Sequence, residues 1–107
     1  NIGYSVPDKI ISKYNSWVFV TLRIPMPTIL FIHGWRLFFY SNEGGEPIHV
    51  HAEKGDMECK YWLMVDEVEI REAFGFNLNP ASRREIKMII YQHFDLIVES
   101  WHQYFKK

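Results

Sequence analysis

The sequence predicts an α+β domain: an antiparallel β-meander of about four strands, with one long C-terminal helix packed on one face of the sheet. Short runs of β-branched and aromatic residues alternate with Gly-containing turns between positions 28 and 65. Apolar residues recur with the period of a helix near the C-terminus. The length, 107 residues, is that of one domain.

The predicted strands are bounded by turn-forming residues. Four are assigned: Thr28–Ile32, Trp35–Ser41, Ile48–Glu53 and Met57–Val65. His33-Gly34 joins the first pair as a tight hairpin, and Lys54-Gly55-Asp56 joins the second pair. Asp66–Phe74 is ambiguous, with room for one short strand and a turn, and 75–80 is assigned to a loop.

A single helix is predicted from about residue 83 to 105. Its apolar stripe consists of Ile86, Ile89, Ile90, His93, Ile97, Trp101 and Phe105. Asn79 before Pro80 fits an N-terminal cap with proline at the first helical position. Ser82 with Glu85 fits a capping box that starts slightly downstream.

The first 25 residues differ from the rest because their apolar residues recur with no clear period, although Trp17–Ile24 has the composition of a strand. Met26 resembles a natural start. We therefore expect residues 1–25 to be an N-terminal extension that is not part of the native fold, and residues 26–107 to form the domain.

Composition excludes some classes of function. A net charge of −1 argues against a general nucleic-acid binder and leaves nucleic acid only a local patch. No apolar run approaches the roughly 20 residues of a membrane span, so no membrane association is predicted. Cys59 is the only cysteine, which excludes an internal disulfide and favours a cytoplasmic location. We expect Cys59 to lie in the core.

The stretch from Pro47 to Glu53 contains the pattern His49-Val50-His51. On a strand, Val50 would face the core while both histidines face away from it. The pair could ligate a metal with a third ligand, for which the candidates are Glu53, Glu43, Glu46 and His102. Acid–base catalysis and a plain polar sheet face are the other two interpretations. Because no third ligand is convincing, no tight metal site and no cofactor are predicted.

The same alternation extends this outer face over the neighbouring strands. We predict a binding face formed by His49, His51, Lys60, Trp62, Arg36 and Tyr40. Aromatic and cationic side chains together suit a protein interface, or stacking on single-stranded nucleic acid. We expect a protein partner, with Trp62 as the central contact. The alternative is that a second subunit, in a homo-oligomer, or the N-terminal extension covers these aromatics.

Several segments carry a resemblance to a known family: Gly34–His51, Lys54–Asp56, Lys60–Leu63 and Glu99–Phe105. Over about residues 26–107 the chain resembles domain-of-unknown-function family 4160, a group of small prokaryotic proteins. It departs from the family pattern at Ile48, where a second proline is common, and at residues 77–82, which are longer than usual. The resemblance implies Met26 as the usual start. It also implies a component of a toxin–antitoxin system, because the family's genes often adjoin another small gene.

The preferred function is a small cytoplasmic binding module, the protein partner in a toxin–antitoxin-like pair. The alternative is a ribonuclease-type toxin or another small hydrolase that uses His49 or His51 as its catalytic residue. A cleft with a basic rim around the two histidines would favour the enzyme. A flat aromatic face would favour the binding module, and the sequence leaves open whether the protein is an enzyme.

Overall fold

The computed structural model of the protein describes residues 28–106. The predicted extension at residues 1–25, with its candidate strand Trp17–Ile24, lies outside the described residues, as does Met26. The described strands are β1 Thr28–Ile32, β2 Trp35–Phe38, β3 His49–Lys54, β4 Met57–Met64 and β5 Glu69–Phe76. They form one sheet in the order β1-β2-β3-β4-β5, and each strand is antiparallel to its neighbours.

The meander follows from its tight turns, because short connections keep successive strands adjacent. His33 and Gly34 join β1 to β2 with φ of 52° and 84°. This left-handed conformation matches the twist of a two-residue hairpin and favours glycine. Gly55, with φ of 60°, has the same role between β3 and β4. The predicted hairpins are present, although β2 ends at Phe38 rather than Ser41.

The prediction of about four strands is corrected to five by the edge strand β5. Only a short strand was expected before residue 74, yet β5 continues through Gly75 to Phe76. Charged residues on β5 weaken its apolar alternation. A register shift between Lys60 and Tyr61 on β4 further disturbs the pattern, since it adds a residue to one side of the ladder.

The prediction of one long helix is wrong, because the structure has two: α1 Pro80–Gln92 and α2 Phe94–Tyr104. The break lies at His93, where φ is −116° and ψ is 24°. The His93 ring Nδ1 donates to the Ile89 carbonyl oxygen at 2.9 Å. The backbone N–H of His93 also reaches the carbonyl oxygens of Ile89 and Ile90, at 3.1 and 3.2 Å. These bonds close the end of α1.

The predicted cap at Asn79 with Pro80 as the first helical residue is confirmed, so the helix begins at Pro80 rather than at about residue 83. The Asn79 side chain accepts from the Ser82 backbone N–H at 2.8 Å, and the Ser82 hydroxyl accepts from the Asn79 N–H at 2.9 Å. These reciprocal bonds satisfy two donors that a helix start otherwise leaves unpaired. Ser82 is thus the third helical residue of the box rather than a cap of its own.

The core lies between the two helices and one face of the sheet, which we call the inner face. Most of the predicted helical stripe is buried there, including Ile86, Ile90 and Ile97. Cys59 is also buried, as predicted. The strands contribute Trp35, Leu37, Val50, Ala52, Cys59, Tyr61 and Leu63. Within residues 28–106, neither helix is long and apolar enough to cross a membrane.

Candidate functional site

The outer face of the sheet, opposite the core, carries the residues predicted for the binding face. His49 pairs with Trp62, and His51 pairs with Lys60 and with Phe38. Val50 lies between the two histidines and belongs to the core. The alternation expected along β3 is therefore present, and it places both imidazoles on the outer face.

Both histidines are buried on that face: His49 is 0% exposed and His51 is 3% exposed. The loop after β2 covers them and places the Glu43 side chain over both rings. A turn shapes this loop, since the Glu43 N–H donates to the Tyr40 carbonyl oxygen and the Glu46 N–H donates to the Glu43 carbonyl oxygen. The burial could not be predicted from β3 alone, because it depends on the return of the loop.

Glu43 is the third member of the site, which we call the Glu43 cluster: Glu43, His49 and His51. Glu43 Oε1 lies 2.7 Å from His49 Nε2 and 2.9 Å from His51 Nε2. Glu43 Oε2 lies 3.0 Å from the same His51 nitrogen. Of the four proposed third ligands, the structure brings Glu43 to the histidines. The ligand atoms of the three residues all lie within 4.8 Å of one another.

Aromatic rings surround the two histidines of the cluster. His51 stacks on Phe38, with ring centroids 5.4 Å apart, and meets the edge of Tyr40 at 4.6 Å. His49 packs between Trp62 at 5.3 Å and Trp101 at 4.9 Å. Such surroundings are of low polarity and raise the cost of unpaired polar atoms.

Gly44 lets the end of α2 approach the loop. A Cβ built at this position would lie 2.7 Å from the ring of Phe105, closer than real contacts allow. The loop that carries Glu43 is thus held between the two histidines and Phe105. The absence of a side chain at residue 44 lets the carboxylate reach its buried position.

The hydrogen-bond pattern of His49 fixes where its proton lies. Nδ1 is 2.9 Å from the Pro47 carbonyl oxygen, which can only accept, so Nδ1 carries hydrogen. In the neutral ring, Nε2 then has a lone pair that faces the Glu43 carboxylate oxygen 2.7 Å away. Two acceptors repel at that distance. The contact therefore requires a positive species: a second proton on the ring, a proton on the carboxylate, or a metal ion.

Charges at the cluster follow from burial and hydrogen bonding. Burial raises the pKa of Glu43, but the hydrogen bonds and charges of His49 and His51 outweigh it and hold the pKa below its usual 4.5. Burial lowers the pKa of His51 below its usual 6.5, and the charge of Glu43 opposes this only in part. Near neutral pH the carboxylate is therefore ionised and His51 is neutral. His51 Nδ1 is buried without a hydrogen-bond partner.

The other predicted residues of the binding face border the cluster. Lys60 Nζ lies 4.4 Å from the centre of the Trp62 ring and 3.1 Å from a Glu46 carboxylate oxygen. Arg36 pairs with Glu53 at 3.0 Å and lies over the Phe38 ring. Trp62 is half-buried rather than fully exposed. The structure thus joins His49, His51, Tyr40, Lys60 and Trp62 directly, and Arg36 through Phe38.

Three exposed phenylalanines of this face were not predicted, of which Phe31 on β1 is 71% exposed and pairs with Arg36. Phe74 and Phe76 are 43% and 62% exposed, and they pair with Lys60 and Glu58 on β4. Both belong to β5, the strand that the sequence left ambiguous. An alternation signal exists at Phe74-Gly75-Phe76, since the two rings lie on one face of a strand.

A second carboxylate cluster lies on the inner face, which we call the Glu72 cluster: Tyr61, Glu72 and Arg83. The Tyr61 hydroxyl donates to Glu72 Oε1 at 2.7 Å. Arg83 donates to the same carboxylate at 2.8 and 3.2 Å. The Arg83 bond lowers the pKa of Glu72, and burial together with Glu72 raises the pKa of Tyr61. Every contact has its own proton donor.

A comparison with known families identifies the chain's relatives. The model of the family described as a domain of unknown function (DUF4160) matches residues 34–102. The chain belongs to the DUF4160 family. The match begins at the β1–β2 turn and ends near the end of α2, so it includes both carboxylate clusters and all of β5. No curated protein and no solved structure matches the chain.

Proposed function

We propose that this DUF4160 domain is a protein-binding module, and that an extended segment of its partner pairs with the edge of β5 as a sixth strand. One observation carries the proposal: β5 is an eight-residue edge strand with two exposed phenylalanines on one face. At about 3.4 Å per residue the strand offers roughly 27 Å of edge. Exposed edges of this kind are templates for another chain.

One backbone group is occupied near the N-terminal end of the β5 edge, and the exposed phenylalanines lie at its C-terminal end. The Ile70 backbone N–H donates to the Tyr91 hydroxyl of α1 at 3.2 Å, which occupies one backbone group near the start of β5. Phe74 and Phe76 lie at the other end. We therefore expect the partner strand to pair with the stretch that ends at Phe76.

The exposed rings define the chemistry of the partner. Backbone hydrogen bonds supply affinity when a strand is added, and alternate side chains supply specificity. Phe74 and Phe76 are two residues apart, so they match a segment with apolar side chains at every second position. Because these two rings are exposed, they contribute little to the hydrophobic core. Aromatic rings are, however, enriched in the buried part of protein interfaces.

The partner in this proposal is the other member of a toxin–antitoxin-like pair. This part rests on the family resemblance, and the product of the neighbouring gene is the first candidate. The cytoplasmic location stays a prediction from the single cysteine. The rival, a hydrolase that uses His49 or His51, needs an imidazole within reach of a substrate. The burial of both rings favours the binding module over this rival.

The test compares matched substitutions on opposite edges of one sheet. Phe76→Ser should weaken binding of the neighbouring gene product by about 30-fold, the effect of losing a contact worth about 2 kcal/mol. Phe31→Ser is the control, because Phe31 is an exposed phenylalanine on the other edge strand, β1. Its affinity should equal that of the unmodified chain. Both variants should melt normally, since exposed positions contribute little stability.

Three outcomes would contradict the proposal. One is equal loss of affinity in the two variants, and another is no binding by the unmodified chain. The third is a homodimer, seen by sedimentation equilibrium, that Phe76→Ser dissociates; this would assign the β5 edge to a second copy of the chain. If His49→Ala instead abolished cellular toxicity while partner binding survived, the hydrolase would replace the binding module.

A further inference from the structure

The Glu43 cluster has the composition of a metal site, and the proposed binding at β5 makes no use of it. Imidazole nitrogen and carboxylate oxygen are the donor set that Zn²⁺ accepts outside cysteine sites. Two rings on one strand and one carboxylate from a loop converge within 4.8 Å. Among residues 28–106, this is the one group of His, Cys, Asp or Glu that converges in this way.

The orientation of His49 is the one that a ligating histidine adopts. Its Nδ1 donates to the Pro47 carbonyl oxygen, which fixes the ring and leaves the Nε2 lone pair directed at the cluster. Metal-bound histidines commonly donate their second nitrogen to a backbone carbonyl in this way. His51 directs its Nε2 at the same carboxylate, at 2.9 and 3.0 Å from its two oxygens.

The contact between His49 and Glu43 can also take a metal ion in place of a proton. With a neutral ring, the Nε2 lone pair of His49 faces the Glu43 carboxylate at 2.7 Å inside an aromatic enclosure. A cation between them removes this repulsion and binds all three ligands at once. An added proton on His49 would also remove it, but would leave a buried ion pair whose desolvation is costly.

We propose that Glu43, His49 and His51 bind one Zn²⁺ ion, with the fourth position open to water. Tetrahedral zinc with ligand bonds near 2.0–2.1 Å separates its ligand atoms by about 3.3 Å. The observed separations of 2.7 and 2.9 Å therefore require the carboxylate to withdraw by roughly half an ångström. Glu43 lies on a loop and its side chain is partly exposed, so withdrawal towards solvent is open to it.

The three ligands would make the ion a cross-link between two elements of the fold. It would join the loop after β2 to β3, and Gly44 of that loop packs against Phe105 at the end of α2. The sequence predicted no tight metal site because no third ligand was convincing. Glu43 is the ligand whose position the sequence could not fix.

The test is calorimetric titration of the full chain, stripped with a chelator and desalted, with zinc chloride at pH 7.5. We expect one zinc ion per chain. Glu43→Gln should lose more than the roughly 10–100-fold that follows loss of an outer-shell partner, because a ligand is removed. This variant has nearly the shape of glutamate, so it should fold. His51→Gln should show a similar loss.

Glu46→Gln is the matched control. Glu46 is a glutamate of the same loop, but its carboxylate pairs with Lys60 and lies 3.8 Å from the His49 nitrogen that carries hydrogen. Its zinc affinity should equal that of the unmodified chain. Three results would overturn the site: no 1:1 uptake by the unmodified chain, equal uptake by Glu43→Gln, or equal loss in Glu46→Gln.

Discussion

Glu72 and Glu43 each lie within hydrogen-bond distance of two side chains, on opposite faces of the same sheet. Around Glu72, a hydroxyl and a guanidinium bring their own protons, so every contact is satisfied. Around Glu43, the His49 ring already donates its Nδ1 proton to a backbone carbonyl, so in the neutral ring Nε2 has no proton for the carboxylate. The first cluster is complete as it stands, whereas the second needs an added proton or a metal ion.

The difference between the two clusters indicates which one has a structural role and which one binds a ligand. A polar network in which all groups are paired can stabilise a fold by itself. A buried network that is one proton short is stabilised by a cation that binds it in the folded chain. The same residue type, glutamate, therefore has a structural role on the inner face and a proposed binding role on the outer face.

The largest expected effect follows removal of the Glu72 carboxylate. Glu72→Ala leaves the hydroxyl of the buried Tyr61 without its acceptor, so the free energy of unfolding should fall by about 1–3 kcal/mol. Denaturant unfolding measures the change. Glu69→Ala on the same strand is exposed and should change stability by less than about 0.5 kcal/mol.

In the absence of metal, Glu43→Gln should cost less than Glu72→Ala. The amide of glutamine can donate to the lone pair of His49 Nε2, a bond that the carboxylate cannot make without an added proton. We expect a change in unfolding free energy of less than about 1 kcal/mol, in a buffer with chelator. A loss as large as that of Glu72→Ala would mean that the two clusters are equally complete.

The third prediction is that acid destabilises the two clusters in different pH ranges. The pKa of His51 is lowered in the folded chain, so its contribution to stability is complete above pH 6.5 and is lost as pH falls below that value. Glu72, whose pKa is also lowered, loses its contribution only as pH falls below 4.5. Between pH 6.5 and 5.5, the metal-free chain should lose at most about 1.4 kcal/mol through His51.

The acid prediction is checked with denaturant unfolding at several pH values. Between pH 6.5 and 5.5, the free energy of unfolding should vary less with pH in His51→Gln than in the unmodified chain. In Glu72→Gln it should vary as in the unmodified chain. Identical slopes in the unmodified chain and in His51→Gln would show that His51 is not the group that titrates.

The smallest expected effect concerns Cys59, which is buried on the inner face near the Glu72 cluster. Burial, and secondarily the charge of Glu72, raises the pKa of this thiol to about 12. A thiol reagent at pH 8 should therefore leave the folded chain unlabelled and label the denatured chain fully. Rapid labelling of the folded chain would mean that the inner face opens readily.

The sequence could predict those features that depend on local periodicity. Alternation on β3 correctly placed His49 and His51 opposite Val50, because side chains on a strand alternate whatever surrounds them. The helical stripe likewise identified Ile86, Ile90 and Ile97 as core residues. The cap at Asn79 depends on a three-residue pattern and was also predictable.

Features that depend on distant contacts could not be predicted. The burial of His49 results from a loop that returns over the sheet and from Trp101 on α2. The break at His93 interrupts the helix without shifting the phase of its apolar stripe, so periodicity hides it. The length of β5 depends on pairing with β4 through an irregular register.

Thermal melting with and without zinc tests the difference between the two clusters most directly. At a free zinc concentration of about 100 times Kd, binding stabilises a folded chain by about 2.7 kcal/mol. We expect zinc to raise the Tm of the unmodified chain and of Glu72→Gln, and to leave the Tm of Glu43→Gln unchanged. An equal rise in all three proteins, or no rise in the unmodified chain, would contradict zinc binding by the Glu43 cluster.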